Sequence, residues 1–416
     1  MSGHRRAYWT VLLIVFVQFS GTMMVVPILP LYAKERFAVS STVIAFLISI
    51  FFGAQFLAGP LLGRWSDRYG RLRVLLISQF GTAVSFALIA VAGSVELLFF
   101  ARILDGITGG NLIVAQAYMT DITPPNKHAE ALGKVWGAMG LGLVLGPLLG
   151  STLAAFFGAT IPFLLAALVA FLTVPVIHFT MAETVLPSGK LDAAAQARSK
   201  ISSGEVLRNL PLFFILTVTF CTTINLGLML STFALYGEAV MFAGFPVAQI
   251  TLGIGVVYMS FGVGQVVTQW WILPWLLRRT AVGRLAFGGL IGRGIGVMVM
   301  ATMRSGTGFL FAPISGIFSA LGVGTMAPAL QAMATRSERD EVRGAILGWV
   351  QSAGSLATIF GTAFAGALFD AHPRLPFYVS AVIFAAMLAP SYYLMRWSDR
   401  QERKVGLRAR PASSQA

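Results

Sequence analysis

Charge is what this chain has least of. Charged residues make up 11% of its 416 positions against 56% hydrophobic, and the mean hydropathy is +0.79. Soluble domains carry about a quarter charged residues, so the composition excludes one and points to a polytopic membrane protein. The single cysteine, Cys221, excludes an intrachain disulfide and any cysteine-based zinc site. Four histidines, His4, His128, His178 and His372, lie far apart without metal-ligand spacing, so neither a metal nor a cofactor is expected. No Gly-Lys-Ser/Thr phosphate-binding pattern occurs, which excludes ATP hydrolysis as a driving force. Nor is there a nucleophile–base set, and no enzyme is expected.

Acids are scarcer than bases, 16 against 30, for a formal net charge of +14. In a soluble protein that excess would suggest nucleic acid. Here the Lys and Arg sit in short segments between apolar runs, the placement that the positive-inside rule produces. Without a soluble basic domain, nucleic acid is not a partner; the lipid bilayer is. Arg5 and Arg6 precede an apolar run, 7–32, that is too long for a signal-peptide core and closes without a small-x-small cleavage site. It reads as a retained first helix.

A helix needs ~20 apolar residues to cross a ~30 Å hydrocarbon core. Twelve runs qualify: 8–32, 41–63, 72–93, 95–119, 131–156, 160–180, 211–235, 247–276, 281–303, 307–330, 344–369 and 374–396. The expected fold is all-α and polytopic, with twelve transmembrane helices in two pseudo-symmetric six-helix bundles. Residues 1–180 form the first bundle, 181–210 a polar cytoplasmic linker, 211–396 the second bundle and 397–416 a basic cytoplasmic tail. The linker's alanines suit either a short amphipathic helix or plain coil. With the N-terminus cytoplasmic, only Lys34, Arg36, Arg304 and Arg374 fall outside and Arg102 and Arg293 within helices. All other bases are then cytoplasmic, which places both termini inside the cell membrane.

The halves repeat. Aligning Gln116-Ala117 with Gln331-Ala332 sets Gly133 on Gly348, a constant offset of 215. The same offset sets Gly142, Gly146 and Gly150 on Ala357, Gly361 and Ala365. Both helices therefore present a ridge of small residues at four-residue spacing, which permits close helix contact.

The fourth run breaks the apolar pattern. It carries Arg102 and Asp105, three residues apart and so on one helical face, followed by Gly106, Gly109 and Gly110. Ionisable groups at bilayer depth cost at least ~2.5–3.5 kcal/mol each and usually face a protein interior or a wet cavity. The offset of 215 lands on Ile317, Ala320 and Leu321, all apolar, so the charged pair belongs to the first half only. Proton handling by Asp105, a static ion pair and direct substrate contact are all compatible with it.

Three motifs carry a family resemblance. Between the second and third runs lies Gly63-Arg64-Trp65-Ser66-Asp67-Arg68-Tyr69-Gly70-Arg71-Leu72-Arg73. It resembles the G-x-x-x-D-R-x-G-R-[KR] signature of the major facilitator superfamily, in the same topological place. The resemblance implies that Gly63, Asp67, Arg68, Gly70 and Arg71 form a cytoplasmic gate, with Asp67 at the N-terminus of the eleventh helix near Arg343. The matching loop of the second half, 275–284, keeps bases but no acid, so the latch is expected once. Arg102 and Gly106 resemble the family's R-x-x-x-G signature. Gly142, Gly146, Pro147 and Gly150 resemble its G-x-x-x-G-P-x-x-G signature, which is associated with antiporters and implies export. Pro147 removes one helical hydrogen bond and should kink its helix.

The first run contains Gln18 and then Pro27-Ile28-Leu29-Pro30, similar to tetracycline-type drug:proton antiporters. Those carry an Asp nine residues before the first proline, where this chain has Gln18. An amide cannot carry a proton as a carboxylic acid can, so coupling falls to Asp105 with Arg102. The family likeness places Asn111 and Asn225 at a central cavity, and Gln18, Gln116 and Gln331 are further candidates there. Arg293 has no partner in the sequence; it either snorkels or meets a buried acid. Aromatics Phe51, Phe52, Trp136, Trp270, Trp271, Phe318 and Trp349 suit packing and interfacial roles better than a pocket wall. Together these features imply a monomeric, proton-coupled antiporter exporting lipophilic small molecules by alternating access. A sugar or organic-acid transporter, or a membrane sensor of the same fold, remains the alternative.

Overall fold

A computed structural model describes residues 2–124, 127–184, 208–337 and 343–404. Its twelve membrane-length helices are α1 (Arg5–Phe37), α2 (Ser41–Tyr69), α3 (Arg71–Val91), α4 (Val95–Asp121), α5 (Ala131–Phe157), α6 (Thr160–Thr180), α7 (Leu210–Met241), α8 (Val247–Arg279), α9 (Val282–Thr302), α10 (Gly308–Arg336), α11 (Ile346–Ala371) and α12 (Leu375–Arg403). No strand occurs among the described residues. In lipid every backbone polar group must be satisfied internally, and helices do so within one segment. Several helices begin at a side-chain cap: Ser40 accepts from the Val43 N–H, Ser94 from Leu97 and Asn209 from Leu212. Large apolar side chains such as Ile77, Phe156 and Phe179 point outward, as suits a protein whose solvent is hydrocarbon.

The repeat is visible in the packing. Helix α1 lies along α5 and α7 along α11, and the 215-residue offset relates α5 to α11. The three α5 glycines face α1. A Cβ on Gly146 would stand 2.6 Å from the Ser20 carbonyl, and one on Gly150 would stand 3.0 Å from the Met24 Cα. On α11, Gly361 meets the Ile224 carbonyl and Gly227 of α7, and its ridge mates Ala357 and Ala365 are fully buried. Pro147 lies inside a continuous helix and leaves the Leu143 carbonyl without its usual donor. Gly262 of α8 closes over that carbonyl.

One large apolar cluster is built wholly from residues between Leu212 and Leu394, and two others lie almost entirely in the first half. Among the described residues, the hydrogen bonds joining the halves lie in or toward the face opposite the termini. Lys34 pairs with Glu238 (2.7 Å), Asp370 accepts from the Thr42 hydroxyl and N–H (2.7 and 3.1 Å), and Ser49 donates to the Ile359 carbonyl.

Two features differ from the sequence reading. The fourth run is interrupted: its helix ends at Thr108 and restarts at Asn111. Adjacent Gly109 and Gly110 each cost ~1 kcal/mol relative to Ala in a helix, and the Gln55 amide of α2 donates to the freed Gly109 carbonyl (3.0 Å). The tail assigned from residue 397 starts instead as helix, because α12 continues past its apolar part to Lys404. The linker's alanine-rich part and the rest of the tail lie outside the described residues.

Candidate functional site

The interruption of α4 is where the polar side chains of the first half converge. Arg102 and Asp105 are 2% and 0% exposed, and Arg102 Nη1 donates to Asp105 Oδ2 at 2.6 Å. The guanidinium is held by α2 as well: Nε donates to the Leu47 carbonyl (3.4 Å), and its carbon stands 4.3 Å from the Phe51 ring centroid. Asp105 is less complete. Its Oδ1 is buried without a hydrogen-bond partner among the described residues. Ser85 of α3 faces this carboxylate but donates its hydroxyl to the Thr82 carbonyl (2.8 Å). Every other acid of a membrane helix lies in or beside a terminal turn, so Asp105 is the one mid-membrane carboxyl of the described residues.

Around the break, Gln18 Oε1 of α1 accepts from Thr82 Oγ1 (3.1 Å) and Asn111 Nδ2 (3.4 Å). The Thr82 and Thr108 hydroxyls lie 3.3 Å apart. Gln18 and Asn111 are thus brought together beside Asp105, as part of a net spanning α1, α3 and α4. Thr82, Ser85 and Thr108 went unnoticed in the sequence because single hydroxyls in apolar helices are common. The one signal in the sequence is that Thr108 stands three residues after Asp105, on the same helical face. Close approach of α2 depends on Gly106, where a Cβ would run into the Phe51 carbonyl and Ala54.

Gln116 is half-buried and Gln331 exposed, and neither joins these bonds. Trp136, Trp270, Trp271 and Phe318 are exposed on the helix surfaces, whereas Phe51 is buried under Arg102.

The loop expected to form the gate is organised by charge within its own half. Arg71 bonds Asp67 (2.6 Å), Asp121 at the end of α4 (3.1 Å) and the Ser66 hydroxyl (2.8 Å). Gly70 adopts φ +102°, and the Glu183 carboxylate occupies the place a Cβ would need. From there Glu183 caps α3, accepting from the Arg71 and Leu72 N–H groups (2.7 and 3.2 Å). Gly63 meets only an ordinary contact with Ile113, and Arg68 lies over Tyr69. Residues 338–342, leading into α11, lie outside the described residues, and with them the approach to the expected latch. In the second half the acids missing from the loop come from α12. Asp399 pairs with Arg284 (3.2 Å), and Glu402 accepts from the Val282 N–H (3.3 Å).

Arg293 does not snorkel, and it meets no acid among the described residues. It is 5% exposed near the middle of α9, its Nη2 donates to Asn225 Oδ1 of α7 (3.1 Å), and its guanidinium lies 5.3 Å from the Phe384 ring centroid of α12. Asn225 therefore belongs to a second polar centre, separate from the net around Gln18.

A family model described as Major Facilitator Superfamily matches residues 11–311 and again 245–415. Multidrug resistance protein 2 of Bacillus subtilis (strain 168) is 25% identical over 396 residues, covering 94% of this chain and 95% of that protein. The class C tetracycline resistance protein of Escherichia coli is 28% identical over 387 residues, 91% and 94% of the two chains. Among solved structures, a bacterial homologue of the human lysosomal transporter Spinster, inward-facing and unoccupied, superposes with a TM-score of 0.77. It is 15% identical and covers 96% of this chain and 98% of its own. That likeness speaks for the fold alone.

Proposed function

Because this chain belongs to the Major Facilitator Superfamily, we propose that it exports lipophilic small molecules in exchange for protons by alternating access. The observation that carries the coupling is Asp105: a fully buried carboxylate with one oxygen on Arg102 and the other unbonded. The names of its full-length relatives, multidrug and tetracycline resistance proteins, support export of drug-like compounds. The protein works as a monomer in the cell's inner membrane, with both termini in the cytoplasm.

In this reading the halves rock about the polar centre of α4. The bonds joining the halves sit toward the outer face, so the conformation is closed outside. A proton arriving from outside adds to Asp105 Oδ1, neutralises the carboxylate and weakens its hold on Arg102. The guanidinium, no longer held within α4, is free to rearrange its contacts with Leu47 and Phe51 of α2, which favours the inward-facing arrangement. Loss of the proton to the cytoplasm restores the pair. Substrate and proton must prefer opposite arrangements for the cycle to couple. The α5 ridge seats α1 just beyond Gln18, so movement of α1 reaches the centre directly. Asp67, tied to Arg71, closes the cytoplasmic side in the outward-facing half of the cycle.

The test is substrate movement in inside-out vesicles under an imposed pH gradient. Asp105→Asn should abolish proton-driven transport while the protein remains monodisperse and membrane-inserted. Full proton-driven transport by that variant would sink the assignment.

A further inference from the structure

The two mid-membrane arginines differ in how completely they are satisfied. Arg102 has a carboxylate, a carbonyl and an aromatic face. Arg293 has one amide oxygen and an aromatic face, and it forms no ion pair among the described residues. A guanidinium offers five N–H donors and no acceptor, so one hydrogen bond leaves most of them unused. The partner deepens the imbalance. Asn225 is 3% exposed, spends its Oδ1 on Arg293, and leaves its Nδ2 buried with no partner. Two adjacent buried side chains thus present donors only. What completes them is a group of acceptor oxygens carrying negative charge.

Position fits such a role. Asn225 lies near the middle of α7, which packs against α1 and α2 and so borders the other half. Arg293 is fixed from behind. Gly322 of α10 lets that helix close on it, since a Cβ there would stand 2.9 Å from the Arg293 Cβ, and Phe384 covers the guanidinium from α12. A strut would be expected to bring its own acid, as Arg102 does.

We infer that Arg293 and Asn225 form an anion-binding site in the second half, which takes the carboxylate or sulfonate of an acidic lipophilic substrate. The inference rests on the chain being a small-molecule transporter and narrows what it carries. The halves then divide the work: Asp105 handles the proton, and Arg293 with Asn225 holds the acidic end of the substrate.

The test uses a matched pair of fluorescent probes on the full chain in lipid nanodiscs, with empty discs subtracted. The pair is 1-anilinonaphthalene-8-sulfonate and the neutral 1-N-phenylnaphthylamine, which share one apolar body. Arg293→Gln should weaken saturable binding of the sulfonate at least about tenfold, the loss of one charged hydrogen bond or more, and leave the neutral probe within about twofold. Arg293→Lys keeps the charge without the fork and should fall between. The inference is overturned if the wild-type protein binds the sulfonate no more tightly than the neutral probe. It is equally overturned if Arg293→Gln leaves sulfonate binding intact or weakens both probes alike. The exporter reading fails separately, if wild-type proteoliposomes move neither probe under a pH gradient.

Discussion

Arg102 and Asp105 sit where each alone would be expensive. Moving an ion of their size out of water costs several kcal/mol even after relaxation, and their mutual attraction at 2.6 Å offsets that only while both are present. Arg102→Ala should therefore lower stability by ~3–5 kcal/mol, read as a fall in melting temperature in detergent. Adding Asp105→Asn should recover much of the loss, because the orphaned charge is then gone. Equal melting temperatures for the single and double variants would show that the pair is not what the site depends on. This pair was legible in the sequence because its members are three residues apart, and helical geometry alone brings them together. Arg293 was not. Its partner lies 68 residues away on another helix, and a lone asparagine in an apolar run has no periodicity to announce it. The same holds for Glu183, whose task at Gly70 depends on a fold that returns the chain after α6 to the start of α3.

At the scale of helices, apolar length and small-residue spacing carried most of the information. All twelve spans and the glycine ridge were readable, since both follow from composition along one segment. Which neighbour the ridge serves was not, and the structure assigns it to α1. Gly146→Val should force α1 and α5 apart against backbone, costing ~1–3 kcal/mol and most of the transport rate. Gly133→Ala is the control in the same helix: nothing stands within 4 Å, so it should be neutral or gain up to ~1 kcal/mol. Thermal melts and vesicle transport of the two variants check this together. The interruption of α4 escaped hydropathy for a related reason. Two glycines count as apolar filler in a run, and the Gln55 amide that steadies the gap between Thr108 and Asn111 comes from another helix, α2.

For the molecule as a whole, α2 and α11 meet at the face opposite the termini, where Asp370 near the end of one helix caps the start of the other. This bond is exposed, so ~1 kcal/mol is a fair measure of it, and Asp370→Asn should shift the balance roughly fivefold toward an arrangement open at that face. Spin-label distances across that face, between α2 and α11, would lengthen; an unchanged distribution would remove Asp370 from the closure. At its centre the described protein holds one fixed positive charge more than its acids cancel, that of Arg293. With Arg293 seating an acid, the proposed exchange of one proton for one anion is electrogenic. Across a membrane that is negative inside, a proton moving in and an acidic substrate moving out both run downhill. Each charge draws ~2.3 kcal/mol per 100 mV, so one such exchange draws roughly 4.6 kcal/mol. Export of an acid should then continue on voltage alone after the pH gradient has been collapsed, with twice the voltage sensitivity of a neutral cargo.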